Sequence, residues 1–423
     1  MTIYDNAERP ERAILLGVDT DANGELDASA AESLDELEQL AETAGAAAVS
    51  KVLQNREAAH PGTYIGKGKI EEVKAIAART EADLVICDDE LTPAQAANLS
   101  DALDMKVLDR TALILDIFAK HAVTNEGKIQ VELAQLKYRA TRLTGKGTSL
   151  SRLGGGIGTR GPGENKLETD RRAIRTRISI LNRQLEEVKQ SRKTSRKMRD
   201  NSGIPVFALV GYTNTGKSTL LNRLTGAGVL EEDKLFATLD PTTRSLKLPS
   251  GQQVLLTDTV GFIRKLPHHL VDAFRSTLEE AKYADVILHV ADASSDHVYL
   301  QMATVYATLE ELGVGDKPVI TVMNKQDLLE LTTIVKDHRA DRTVRISAKT
   351  GEGLDQLLTV MEEVLREQKI WVEHTFAYED AGKIQTIRRY GQLLSEVYTE
   401  GGIEVKAYVP KNVYEMLFLN VDR

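Results

Sequence analysis

The chain has 423 residues, 42% hydrophobic and 28% charged, with a net charge of −9 and a single cysteine, Cys87. That length allows two to four domains with sizeable cores, and one thiol excludes an internal disulfide and suits a reducing compartment. No apolar run approaches the roughly 20 residues of a membrane span. The start Met1-Thr2-Ile3-Tyr4-Asp5 has neither a basic opening nor an apolar core, so a cytoplasmic protein is expected.

Residues 1–115 read as a small parallel α/β domain, because short apolar runs alternate with helical patterns. The run Ala13 to Val18 is a strand, and Leu34, Leu37 and Leu40 share one helical face. Ala47 to Leu53 is the next apolar run, followed by a helix near Lys69 to Arg79 and a strand over Leu84 to Cys87. Thr92-Pro93 opens a further helix before the strand Met105 to Leu108. Cys87 itself reads as a small buried hydrophobe.

Residues 116–200 are helical and broken once, over Gly145 to Gly163. Net charge concentrates here: Lys137 to Arg199 holds 18 lysines and arginines against 5 acids, leaving the remainder at −22. An acidic protein with one basic arm is suited to placing that arm against phosphates rather than to coating nucleic acid. A helical hairpin needs only a few connecting residues, so the long glycine-rich tip reads as a binding element. Its candidate RNA contacts are Arg152, Gly154, Gly155, Gly156 and Arg160, whose exposed backbone and guanidinium forks match a phosphate-dense folded RNA.

Residues 201–370 carry the strongest chemical signal. Gly211-Tyr212-Thr213-Asn214-Thr215-Gly216-Lys217-Ser218, continued by Thr219, follows the apolar stretch Val206 to Val210 and fits the phosphate-binding loop. That chemistry needs a strand to deliver a glycine-bearing turn whose N–H groups wrap phosphates at a helix N-terminus. Lys217 then reaches the β- and γ-phosphates and Ser218 ligates Mg²⁺. Asp258-Thr259-Val260-Gly261 supplies a strand-end carboxylate for a water of the Mg²⁺ shell and a glycine N–H for the γ-phosphate. Lys217 and Gly261 are the catalytic candidates. Asn324-Lys325-Gln326-Asp327 places a carboxylate where it accepts both hydrogens of the guanine N1 and N2 edge, which adenine lacks. Ser347-Ala348-Lys349 completes the base pocket. The helix Leu354 to Arg366 repeats apolar residues at helical spacing and packs on the sheet.

Residues 371–423 show strands near Val372 to Ala377, Leu393 to Tyr398 and Ile403 to Val409, with Thr399-Glu400-Gly401-Gly402 as a hairpin turn. Fifty residues make a marginal core, so this domain is expected to pack on its neighbour. The fold class is therefore α/β: a doubly wound GTPase sheet, preceded by a small parallel α/β domain and a long helical hairpin, and followed by a small α+β domain.

Near its full length the chain resembles the HflX family of ribosome-associated GTPases. The likeness rests on Tyr64-Ile65-Gly66-Lys67-Gly68-Lys69, on the Gly154 to Gly163 loop with Glu164, on Phe236 to Arg244 and on Asp258 to Phe262. It implies binding to the large ribosomal subunit, splitting of stalled or idle ribosomes, and a second, weaker nucleotide site in the N-terminal domain. It also favours Thr238 as the switch threonine on Mg²⁺, within the nucleotide-binding segment Phe236, Ala237, Thr238, Leu239 and Asp240. Spacing alone leaves Thr238, Thr242 and Thr243 open, the last two as turn residues after Pro241. Where many regulatory GTPases place a water-orienting glutamine, this chain has Phe262, so slow intrinsic hydrolysis is expected. Asn214 stands where some GTPases help bind K⁺. A monomer is expected. The competing reading is a GTP-gated adaptor acting on a non-ribosomal partner.

Overall fold

The computed structural model describes residues 9–20, 29–143, 162–200, 204–226, 235–236, 241–265, 280–329 and 335–419. Two compact units divide the chain. One comprises Met1–Val188, Glu232–Asp240 and Ile263–Ser276; the other comprises Lys189–Glu231, Pro241–Phe262 and Thr277–Arg423. Among the described residues, no helix is long and apolar enough to cross a membrane.

The first unit is built on four parallel strands in the order β2-β1-β3-β4: β1 Arg12–Asp19, β2 Ala47–Asn55, β3 Leu84–Cys87 and β4 Lys106–Asp109. Local sequence sets the helix boundaries between them. Ala30–Ala44 starts at a capping box between Ser29 and Glu32 and stops at Gly45, whose φ of 90° lets its N–H reach the carbonyls of Ala41 and Glu42. Thr92 and Gln95 form the same reciprocal cap before Pro93–Leu103. Leu34, Leu37 and Leu40 are buried, as their helical spacing requires. Cys87 is fully buried, and burial pushes its thiol well above the usual range.

The helical region holds one more break than its sequence pattern implies. Helices Arg110–His121 and Asn125–Arg142 are separate, because the Thr124 hydroxyl caps the second by accepting from the Gly127 N–H. Asn125–Arg142 pairs with the 39-residue helix Pro162–Asp200. Ile129, Leu133, Leu181 and Leu185 form the seam between them. Arg177 grips Glu132 in a two-pronged ion pair, Nε–Oε1 2.6 Å and Nη2–Oε2 2.8 Å. The candidate RNA-contact residues Arg152, Gly154, Gly155, Gly156 and Arg160 lie outside the described residues.

A charge network anchors this unit. Arg110, almost fully buried, donates to Asp88 (2.9 Å) and Glu36 (2.5 Å), while Lys265 donates to Asp88 (2.5 Å) and Asp89 (2.7 Å). Burial raises the pKa of Asp88, but the charges of Arg110 and Lys265 more than offset this and leave it below the ordinary carboxylate range.

The second unit holds a six-stranded sheet in the order β10-β9-β8-β5-β7-β6, parallel except for β6. Its strands are β5 Val206–Val210, β6 Thr242–Lys247, β7 Gln253–Asp258, β8 Val286–Asp292, β9 Val319–Asn324 and β10 Arg342–Arg345. Thr242 and Thr243 are strand residues rather than turn residues, and the Thr243 and Thr257 hydroxyls meet across the ladder at 2.9 Å. The same unit ends in the antiparallel sheet β11-β13-β12, with β11 Ile370–Phe376, β12 Gln392–Thr399 and β13 Gly402–Val409. The hairpin turns between Thr399 and Gly402 as its sequence indicates. The helix Ala381–Tyr390, unforeseen, covers one face through Ile384 and Ile387. Gln392 bonds Glu362 (2.9 Å) on the helix Leu354–Glu367, which ties this small core to its neighbour.

Replacing Asp88 with alanine strips a buried charge partner from both Arg110 and Lys265. The expected loss is about 3 kcal/mol of stability in the first unit, measured by chemical denaturation. Because the folded-state pKa of Asp88 lies below its unfolded value, its contribution is present above the ordinary carboxylate range. It is lost as pH falls through the folded-state pKa. Acid unfolding of the Asp88→Ala variant that matched the wild type would contradict this assignment.

Candidate nucleotide site

The carboxyl ends of β5, β7, β9 and β10 bring the predicted phosphate and base motifs together within the second unit. The loop leaves β5 at Gly211, where any Cβ would sit 2.2 Å from the Val290 carbonyl oxygen of β8. Only glycine lets the chain turn that close to the neighbouring strand. It ends at Gly216, at φ 89°, which opens the helix Lys217–Thr225. Asn214 also takes the left-handed conformation, at φ 60°, which asparagine tolerates better than most residues.

Lys217 is buried inside this loop. Its Nζ donates to the carbonyls of Tyr212 (2.6 Å) and Gly211 (3.1 Å). Burial lowers its pKa to about 8, and the Asp258 carboxylate pulls the other way. Asp258 ends β7 with no exposure, and burial pushes its pKa up against the pull of Lys217, Ser218 and the Thr259 N–H. Its Oδ2 accepts from the Ser218 hydroxyl at 2.8 Å, while Oδ1 has no partner. The Thr213 hydroxyl oxygen is likewise buried and unpartnered. A hydroxyl beside a carboxylate with a spare lone pair is an all-oxygen donor set that fits a hard divalent cation such as Mg²⁺.

Two backbone bonds join the loop to the segment after β7. Thr213 N–H donates to the Phe262 carbonyl (2.8 Å) and Phe262 N–H to the Gly211 carbonyl (3.0 Å). Gly261 between them has no room for a side chain, since a Cβ would meet Thr213 Cα at 2.9 Å and Lys217 Nζ at 3.1 Å. Phe262 is buried, so the position after this glycine offers no polar group to a water. Thr259 is held by a 2.7 Å bond to the Leu209 carbonyl, and Val260 is buried.

The base-side motifs meet through Asn324. Its Nδ2 donates to the Thr215 carbonyl (2.8 Å) and its Oδ1 accepts from the Ala348 N–H (2.9 Å). Asp327 is exposed at the rim, with Oδ1 accepting from the Ser347 hydroxyl at 2.7 Å. The Gln326 N–H bonds the Ile346 carbonyl (3.2 Å) at the end of β10, and Lys349 is exposed beyond it. Thr219 lies in the first turn of the helix that opens at Lys217. Phe236 belongs to the first unit, where its ring stands edge-on to Phe118 with centroids 4.8 Å apart. Ala237, Thr238, Leu239 and Asp240 lie outside the described residues.

Motif reading misses two features: the bridging role of Asn324, and Asp292, which accepts from Lys325 Nζ at 2.7 Å. The only sequence signal for Asp292 is its place at the end of an apolar strand.

Three family models match in succession: "GTP-binding GTPase N-terminal" over residues 31–119, "GTP-binding GTPase Middle Region" over 121–199 and "50S ribosome-binding GTPase" over 206–325. The GTPase HflX of Lacrimispora saccharolytica is 62% identical over 98% of this chain and 97% of its own length. That of Escherichia coli is 44% identical over 86% and 85%. A GTP-binding protein from Sulfolobus solfataricus, solved in complex with GDP, is 26% identical and covers 84% of this chain and 98% of its own, at a TM-score of 0.45. With such identity running nearly end to end in the bacterial relatives, the chain belongs to the HflX family of GTPases.

Proposed function

We propose that this GTPase binds the large ribosomal subunit and splits stalled or idle ribosomes, hydrolysing GTP to GDP and phosphate. The observation that carries the reading is the meeting of Lys217, Ser218, Asp258 and Asn324 at one sheet edge, in a chain whose G domain matches a ribosome-binding family model. The basic stretch Lys137 to Arg199 supplies the arm for ribosomal RNA. Arg152, Gly154, Gly155, Gly156 and Arg160 are its proposed contacts. The proposed division of the chain is 1–115, 116–200, 201–370 and 371–423.

Hydrolysis adds water to the γ-phosphorus as the bridging P–O bond to the β-phosphate breaks; the electron pair leaves with GDP and the proton ends on phosphate. Loop N–H groups from Gly211 to Ser218 and the ammonium of Lys217 hold the phosphates and offset their growing charge. The Gly261 N–H serves the γ-phosphate. Ser218 and Thr238 would hold Mg²⁺ directly and Asp258 through a water, the ion supplying charge neutralisation on the phosphates. Asp327 accepts the guanine N1 and N2 hydrogens beside Lys325 and Ser347 to Lys349. Phe262 cannot orient the attacking water, so turnover waits for a partner that orders the site.

Purified protein is therefore expected to turn over slowly and to accelerate strongly with large ribosomal subunits, read as phosphate release. Equal rates with and without subunits would defeat the ribosomal reading. Co-sedimentation with a non-hydrolysable GTP analogue then separates a ribosomal factor from an adaptor of some other partner. Asn214 is proposed to help a K⁺ ion approach the phosphates, so hydrolysis in potassium salts should exceed that in sodium salts; identical rates would remove the ion from the scheme.

The buried lysine gives a pH signature. With a pKa of about 8 before nucleotide binds, Lys217 is half-charged at pH 8, and a bound polyphosphate favours the ammonium. Binding of GDP at pH 8 should take up about half a proton, and affinity should weaken as pH rises from 7 through 8. Calorimetry in two buffers of different ionisation enthalpy measures the uptake. A value of zero would show that Lys217 is fully charged throughout.

A further inference from the structure

We propose that Asp292 is a positioning residue for guanine recognition: it fixes the ammonium of Lys325 so that the lysine stem lies along the face of the purine. The inference rests on Asn324–Asp327 forming the base pocket and adds to it a residue outside the motifs.

Lys325 has φ 63°, a left-handed conformation that L side chains adopt only under strain. Glycine or asparagine would occupy that position more cheaply, and a lysine there at that cost points to a use for its side chain. Its ammonium ends on Asp292 Oδ2 at 2.7 Å, in a pair that is only partly exposed (27% and 16%). The carboxylate is held in turn, because Oδ1 accepts both the Ser294 N–H (3.0 Å) and the Ser294 hydroxyl (2.6 Å). Backbone pairing fixes the distance between the two residues. Asp292 faces Asn324 across the β8–β9 ladder, and the Ala293 N–H bonds the Asn324 carbonyl at 3.0 Å.

Sheet order gives this link a direction. β8 lies between β9 and β5, and β5 delivers the phosphate loop. Anchoring the ammonium on β8 therefore draws the four-carbon stem of Lys325 off its own strand and toward the phosphate loop. Asn324, the residue before Lys325, holds the Thr215 carbonyl of that loop, so on this reading the stem runs between Thr215 and Asp327. A methylene stem with a pinned cationic end suits a flat purine, through apolar contact and cation–π attraction. Phosphates are untouched by this arrangement, so it serves affinity for guanine nucleotides and not the chemical step.

The test uses the full-length protein and fluorescent GDP and GTP analogues. Asp292→Asn keeps the side-chain size and its capping of Ser294 but removes the charge. It should weaken binding of both nucleotides about tenfold, the scale of a partly buried ion pair, raising KM and leaving kcat in place. Lys325→Met keeps the stem without the ammonium; in that background Asp292→Asn should add nothing. If Asp292→Asn weakens binding by the same factor when combined with Lys325→Met, or lowers kcat rather than raising KM, the inference is overturned. Thermal midpoints without nucleotide identify a variant that is simply misfolded, and a carboxamide whose lost affinity tracks a lost midpoint also overturns it. Asp327→Asn separates the two levels. Failure to shift preference from GTP toward xanthosine triphosphate sinks the base-pocket reading itself, whereas a shift with no effect of Asp292→Asn sinks only the role of Asp292.

Discussion

The nucleotide site is held together by the side-chain amide of Asn324. Buried to 2% exposure at the end of β9, it ties the Thr215 carbonyl of the phosphate loop to the Ala348 N–H of the base loop. Three sequence motifs spread over more than a hundred residues thereby become one rigid object. Each of these bonds satisfies a buried group that would otherwise cost about 1–3 kcal/mol. The bridge also explains Gly216 more fully than backbone geometry does. A Cβ at that position would lie 2.4 Å from Asn324 Nδ2, so the glycine before the lysine is required by its contact as well as by its φ of 89°.

A second constraint joins the phosphate loop to the segment after β7. The reciprocal backbone bonds between Gly211, Thr213 and Phe262 place Gly261 against Thr213 and Lys217 with no space for a side chain. The same bonds fix the next residue inside the fold. Phe262 is buried there, and a glutamine in the same backbone would have to bury its amide. Gly261 and Phe262 thus pack closely against the loop, and neither brings a polar side chain to it.

Local chemistry made much of this legible in the sequence. β3 is a pure apolar run bounded by polar residues, and the structure returns Leu84–Cys87 without change. Capping by Thr92 and the turn at Thr399 to Gly402 depend on residues within a few positions of one another. The misreadings share a cause. The break at Ala122 to Thr124 contains neither glycine nor proline and shows only in the hydroxyl cap of Thr124. β6 runs antiparallel at the sheet edge with only Leu246 buried, so Thr242 and Thr243 lack the apolar company that marks a strand. The helix Ala381–Tyr390 buries just Ile384 and Ile387, too few to show a period. At the site, the motifs stand in the sequence and the strands carry them to the same end of one sheet. The Asn324 bridge and the Asp292–Lys325 pair do not show in the sequence, because they exist only once separate strands lie side by side.

Charge burial completes the physical picture. Lys217 and Asp258 are both driven toward their neutral forms by burial, and each partly restores the charge of the other. His289, fully buried on β8, is driven the same way, its pKa lowered to about 4 by burial against the pull of Asp337. Lys217 and Asp258 therefore sit in a low-dielectric space, where a charge acts more strongly than it would in water. The ammonium of Lys217 donates to the carbonyls of Gly211 and Tyr212, dipoles that offset less of its desolvation than a full anion would. A ligand that binds the folded second unit stabilises it by mass action.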